Sequence, residues 1–247
     1  MTGWLHSLQS LGTVDGPGVR AVAFLSGCPL RCACCHNPDT WELHGGEEIQ
    51  ASALAERLSR FSRYFGRDGG VTLSGGEPLL QASFCREVFR ILRGKGIHTA
   101  LDTSGCLPIG QEIKDLLAVT DYVLLDLKYD TEQDYLRYVG CGIRHPFAFL
   151  SYLNDAGIPT CIRRVIIPSL NESCRSADAL ADLVAGYACV ERVELLPMRK
   201  LCLTKYREMG IPFPLEDIPE PDAASVAMLQ KRIDSRIHSI RSGRDLS

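Results

Sequence analysis

The chain has 247 residues, 45% of them hydrophobic and 23% charged, which suits one sizeable globular core. Its 27 basic and 30 acidic side chains leave a formal charge of -3, too even a balance to draw the molecule onto nucleic acid or anionic lipid. No apolar run approaches membrane-spanning length and no basic-then-apolar leader opens the chain, so the expectation is a cytoplasmic protein, neither secreted nor inserted.

Short β-branched runs alternate with amphipathic stretches, the pattern of a parallel sheet flanked by helices. Six strands are expected: VRAVAFLS from Val19, GVTLS from Gly70, HTALDT from His98, YVLLDLK from Tyr122, TCIRRVIIP from Thr160 and RVELLP from Arg192. Helices are expected from Ser52 to about Phe65, Ala82 to about Leu92 and Phe147 to about Asp155, stopped by Gly66, Gly94 and Gly157. A last helix, Asp222 to Ser239, carries Val226, Leu229, Ile233 and Ile237 at helical spacing. Its basic end, with Lys231, Arg232, Arg236 and Arg241, reads as a solvated face. The fold class is therefore α/β, a partial (β/α)6 TIM-like barrel. It is expected as a single domain over 1–247, with a core at about 14–200 and a helical extension at about 222–241.

The loop after the first strand holds Cys28, Cys32 and Cys35 in a CxxxCxxC spacing. Iron-sulfur clusters are normally held by four thiolates, so three leave one iron open to chemistry. A closed zinc site with Cys34 or His36 as fourth donor is a second reading, and a redox-active Cys32–Cys35 pair a third. The other cysteines, Cys85, Cys106, Cys141, Cys161, Cys174, Cys189 and Cys202, read as small buried hydrophobes in a reducing compartment.

Polar residues gather at the remaining strand ends, where βα barrels keep their chemistry. SGGEP (Ser74 to Pro78) follows the second strand, LDTSG (Leu101 to Gly105) the third, DLK (Asp126 to Lys128) closes the fourth, and Arg163 lies within the fifth. Gly75 and Gly76 permit close backbone approach to a ligand, and Glu77 could accept a hydrogen bond from an ammonium. Asp102 and Asp126 would be costly as inward acids without a cation or donor.

TVDGPGVR (Thr13 to Arg20), the cluster loop, CHN (Cys35 to Asn37), TWELHGG (Thr40 to Gly46), SGGEP, GIHTALDTSG (Gly96 to Gly105), TDYVLLDLK (Thr120 to Lys128) and VELLP together resemble the radical S-adenosylmethionine superfamily. Within it they resemble the pyruvate formate-lyase-activating family of glycyl radical enzyme activases, from about His6 to about Tyr206. The resemblance implies a 4Fe-4S cluster on Cys28, Cys32 and Cys35, its fourth iron chelated by S-adenosylmethionine. It implies Gly75, Gly76 and Glu77 at the methionine amino group, and Asp126 and Lys128 on the ribose and carboxylate side. Cys34, Cys35, His36 and Asn37 would meet the adenine, with Arg163 and Arg199 in the same cofactor-binding set. Asp102, Thr103 and Asp126 would hold a monovalent cation, and Asp15 and His36 would face the incoming glycine loop as catalytic residues.

The implied reaction is reductive cleavage of S-adenosylmethionine, followed by removal of a glycine α-hydrogen on pyruvate formate-lyase or a like protein. The implied donor is reduced flavodoxin or ferredoxin, and a monomer with no nucleic-acid or membrane partner is expected. An activase for another glycyl radical enzyme and a non-catalytic iron-sulfur carrier are the alternatives. The chain departs from the family at Cys34, where an aromatic residue is usual, and at Met198, Arg199 and Lys200, where PYHxLG is usual. It carries no ferredoxin-like insert between Cys35 and Gly75.

Overall fold

A computed structural model describes residues 1–243, which group into two units. The last four residues of the expected domain lie outside the described residues.

The first unit, Met1–Leu30 with Asn37–Leu125, contains β1 (Thr2–Gly12), β2 (Arg20–Leu25), β3 (Glu47–Gln50), α1 (Ala51–Ser59), β4 (Gly70–Gly75), α2 (Ala82–Gly94), β5 (His98–Thr103), α3 (Gln111–Leu117) and β6 (Tyr122–Asp126). Strands β2, β4, β5 and β6 pair in parallel in that order. They are buried nearly throughout, as parallel strands covered on both faces must be. Strand β1 was not expected. It pairs antiparallel with both β2 and β3, and its polar middle, from His6 to Ser10, hides it from an apolar pattern. The first expected helix ends early, at Ser59, before a short 3-10 turn at Ser62–Tyr64. Helix α2 overruns its expected stop, and Gly96 with φ 72° makes the reversal.

Arg20 is fully buried at the start of β2. Its Nε donates to Thr72 Oγ1 at 2.7 Å, and its terminal nitrogens donate to the carbonyls of Pro17 at 2.9 Å and Val71 at 2.7 Å. Thr72 Oγ1 passes the chain on to the Asp15 carbonyl at 2.6 Å. Burial, opposed by Asp121 and Asp15, lowers the Arg20 guanidinium to about 10. Gly18 closes this turn at φ 65°, where a Cβ would stand 2.5 Å from the Gly69 nitrogen.

The second unit, Arg31–His36 with the residues from Asp126 onward, contains α4 (Glu132–Tyr138), α5 (Arg144–Asp155), β7 (Thr160–Ile166), α6 (Cys174–Ala185), β8 (Val190–Pro197), α7 (Leu203–Glu208) and α8 (Ala223–Arg241). Strands β7 and β8 are parallel, with Arg163 opposite Glu194. Asp222 caps α8, its side chain accepting from Ser225 N at 3.1 Å. Helix α8 packs on α6 and β8 and buries Val226, Leu229 and Ile233. Its basic end is clamped rather than simply solvated. Arg232 grips Asp178 at 2.6 and 2.7 Å, Arg236 grips Asp182 at 2.5 and 2.8 Å, and Arg241 donates to the Tyr187 carbonyl at 2.9 Å.

Cys85, Cys106, Cys161, Cys189 and Cys202 are buried as expected, but Cys141 is half-buried and Cys174 exposed. Cys174 follows the Ser173 cap as the first residue of α6, a position that leaves its side chain outside. Among the described residues, no helix is long and apolar enough to cross a membrane.

Candidate active site

In the first unit the chemistry-bearing residues sit at the C-terminal ends of β2, β4 and β5. The chain leaves β2 through Gly27 and Cys28, whose nitrogens donate to the carbonyls of Thr40 at 2.7 Å and Trp41 at 3.1 Å. Gly75 (φ 107°) and Gly76 are required by the protein's own packing. A Cβ would fall 2.3 Å from Leu25 N on the first and 2.2 Å from the Gly27 carbonyl on the second.

Glu77 departs from the expectation that its carboxylate faces a ligand. It is 1% exposed. One oxygen accepts from Thr103 Oγ1 at 2.6 Å and Leu79 N at 3.2 Å, the other from Ser104 N at 3.0 Å and Ser104 Oγ at 2.5 Å. Four donors fill a carboxylate's acceptor sites, so Glu77 braces the loop after β5. The two hydroxyls in turn accept from Gly105 N and Cys106 N. Burial pushes this carboxyl up, against the pull of the Ser104 and Thr103 bonds.

Asp102 accepts from Ser74 Oγ at 2.6 Å. Thr103, the next residue along β5, turns its hydroxyl to Glu77, because successive strand residues face opposite sides. A cation shared with Asp102 would therefore meet Thr103 through its carbonyl.

In the second unit, the cluster loop is pinned by Arg31 N to Val139 O at 3.1 Å and Ala33 N to Tyr138 O at 2.8 Å, and it turns through Cys35 N to Cys32 O at 3.0 Å. Cys28, Cys32 and Cys35 are half-buried while Cys34 is buried. Burial first, then the neighbouring Cys35 and Asp126, push the Cys34 thiol up against Lys128, which keeps it a poor metal ligand. His36 Nε2 lies 2.8 Å from the Arg199 carbonyl, so the proton sits on Nε2. Burial lowers its pKa despite that bond. The Arg199 side chain pairs with Glu220 at 2.9 Å, and the same carboxylate accepts from Lys200 N at 2.8 Å. Tyr206 Oη donates to the Cys35 carbonyl at 3.3 Å.

Asp126, Lys128 and Arg163 come together in the second unit. Lys128 Nζ and Arg163 Nε lie 2.8 and 3.2 Å from opposite oxygens of Asp126. Burial alone would raise the Asp126 carboxyl, but Lys128 and Arg163 hold it below its ordinary value. Lys128 is raised well above its own, as Asp126, Cys32 and Cys34 outweigh burial. Asp126 is thus balanced by protein cations.

The donor set fits an iron-sulfur cluster. Cys28, Cys32 and Cys35 are half-buried free cysteines in one loop region, and three sulfur donors suit a cluster that keeps one iron open. A buried hydroxyl without a partner, on Tyr129, adds a polar group suited to face sulfur. Ser104, Tyr129 and Glu220, which the structure sets beside these groups, were not among the expected site residues. Ser104 lies inside the LDTSG run and Tyr206 within the resembling stretch, while Tyr129 and Glu220 give no local signal.

The family model for a 4Fe-4S single cluster domain matches residues 14–141. The pyruvate formate-lyase-activating enzyme of Clostridium pasteurianum is 42% identical over 93% of this chain and 96% of that protein. Two solved structures share the fold at low identity. SuiB of Streptococcus suis, bound to its precursor peptide SuiA, aligns at TM-score 0.68 and 16% identity over 91% of this chain and 46% of the other. A radical SAM methyltransferase from Sphaerobacter thermophilus aligns at TM-score 0.60 and 18% identity over 88% and 64%. With three thiolates on the expected spacing and near-full-length identity, the chain belongs to the pyruvate formate-lyase-activating enzyme family of radical SAM proteins.

Proposed function

We propose that this protein is an activase that cleaves S-adenosylmethionine and installs a glycyl radical on pyruvate formate-lyase. Cys28, Cys32 and Cys35 would hold a 4Fe-4S cluster, which when bound would supply the electron for reductive cleavage of S-adenosylmethionine to methionine and the 5'-deoxyadenosyl radical that would take the glycine hydrogen.

The observation that carries the reading is the difference in burial among four neighbouring cysteines, three half-buried and Cys34 buried, which supports a three-ligand set of Cys28, Cys32 and Cys35. Lys128, paired with Asp126, and Arg163 beside them are the cationic groups expected on the ribose and carboxylate side of the cofactor. His36, neutral and locked by its Nε2 hydrogen bond to Arg199, presents a ring of fixed orientation to the adenine or the glycine loop. Asp15, held through its carbonyl by Thr72, is the other residue expected at that loop. Gly75 and Gly76 offer backbone to the methionine amino group, with Glu77 holding their loop in place, and Asn37 completes the adenine contacts. Asp102, the Thr103 carbonyl and Asp126 are the proposed monovalent-cation ligands. Reduced flavodoxin or ferredoxin as electron donor, a cytoplasmic location and a monomeric state complete the reading.

The test is anaerobic incubation of reduced, reconstituted protein with S-adenosylmethionine and pyruvate formate-lyase. A glycyl EPR doublet with 5'-deoxyadenosine is expected. A reduced cluster whose spectrum ignores S-adenosylmethionine, with no nucleoside released, would assign the chain to electron transfer instead.

A further inference from the structure

Tyr129 follows Lys128 directly and is 2% exposed, yet its hydroxyl has no hydrogen-bond partner. Leaving a buried hydroxyl unmade costs about 1–3 kcal/mol, so such a group calls for an explanation. Its neighbours do not supply one. The Tyr135 ring meets Tyr129 edge-on at 6.2 Å, but the Tyr135 hydroxyl is occupied, accepting from Lys128 N at 3.0 Å. The Lys128 ammonium is taken by Asp126 at 2.8 Å. Tyr138 packs at 5.4 Å, and its carbonyl is the one that pins Ala33 of the cysteine loop. Tyr129 is therefore packed against the residue that holds the cysteine loop. Burial first, and then Cys34 and Cys32 against Lys128, push its hydroxyl above the ordinary tyrosine value, which keeps it a donor.

We infer that the Tyr129 hydroxyl donates a hydrogen bond to sulfur of the cluster carried by Cys32 and Cys35, and so raises the potential at which that cluster takes up its electron. The physical reason is that reduction adds negative charge to the sulfurs, and a donor stabilises the reduced state more than the oxidised one. Cys34, which is buried, lies outside the three-cysteine set that carries the cluster. Tyr129 is a positioning and tuning residue rather than a catalytic one. The inference rests on the three-thiolate cluster proposed above.

The experiment compares wild type with Tyr129→Phe, both reconstituted anaerobically, by iron content, EPR-monitored redox titration and S-adenosylmethionine affinity. Expected are full iron in both, unchanged affinity, and a reduction equilibrium about tenfold less favourable in the variant, equal to about 59 mV lower for a one-electron couple. An unchanged midpoint overturns the inference. So does a weakened affinity at constant midpoint, which would place the hydroxyl on the nucleotide. Where Tyr129→Phe assembles too little cluster to titrate, 3-fluorotyrosine at position 129, a more acidic donor of nearly equal size, should move the midpoint upward. No movement there overturns the inference equally. A wild-type protein without a four-iron cluster refutes the activase reading and this inference together, and that failure is recognisable because it precedes any substitution.

Discussion

Both oxygens of Glu77 are committed to donors in the protein, so the SGGEP run serves the fold before it serves a ligand. Glu77→Gln turns one acceptor into an NH2 facing the Thr103 or Ser104 donors. Urea unfolding should show a loss of about 1–3 kcal/mol, with weaker S-adenosylmethionine binding as the loop after β5 loosens. Binding at wild-type strength together with full stability would remove the bracing role. Asp126 gives a second prediction at this scale. Asp126→Asn removes the carboxylate that Lys128 and Arg163 share, and should lower stability at neutral pH by about 3–5 kcal/mol. The sign of its pH dependence follows from a carboxyl held below its ordinary 3.8 in the folded state. Its contribution is complete above the unfolded value and disappears as pH falls through the folded one. Stability of Asp126→Asn should therefore fall less than that of wild type below about pH 4. Equal slopes in urea titrations across that range would mean the cations do not act on Asp126. Among the cysteines, Cys34→Ser should retain a full iron complement, whereas Cys28→Ala, Cys32→Ala and Cys35→Ala should each lose it. Iron loss of similar size in all four would end the three-ligand assignment. The sequence exposed the spacing, but burial separates Cys34 from its neighbours, and burial depends on residues a hundred positions away.

At the scale of elements, strands β2, β4, β5, β6 and β7 were legible because each is a densely apolar run, buried nearly throughout. Helix α6 was not foreseen, although Ala177, Leu180, Ala181 and Val184 form its buried side at helical spacing. Its partner α8 was legible from Val226, Leu229 and Ile233, but the ion pairs that tie the two together join residues 54 apart and leave no local trace. The apolar seam, not the clamps, should dominate. Ile233→Ala, at a fully buried site, is expected to cost about 2–5 kcal/mol in chemical unfolding. Arg232→Ala and Arg236→Ala involve exposed pairs, and their small effects should shrink further in high salt. An arginine variant as damaging as Ile233→Ala would reverse that order.

For the whole molecule, the question is whether the cluster holds the fold or the fold holds the cluster. Each unit has an apolar core of its own, with Val22, Leu73, Leu101 and Val123 in the first and Phe149, Ile162, Leu180 and Leu229 in the second. The cysteine loop also carries main-chain bonds to Tyr138 and Val139 that need no metal. This differs from a zinc finger, where metal binding supplies the folding free energy and the apo chain is unfolded. The motifs in the sequence located the chemistry well, yet they were silent on this point, because the residues that support the loop lie in a helix that was not foreseen, α4. Chelation under reducing anaerobic conditions should strip the iron while leaving far-UV circular dichroism and a cooperative thermal transition in place, with the midpoint lowered but not abolished. Re-addition of iron and sulfide should restore both the midpoint and the cluster absorbance. If iron removal instead erases the helical signal, the loop is ordered by its cluster and the bonds to Tyr138 and Val139 are consequences of loading rather than its precondition.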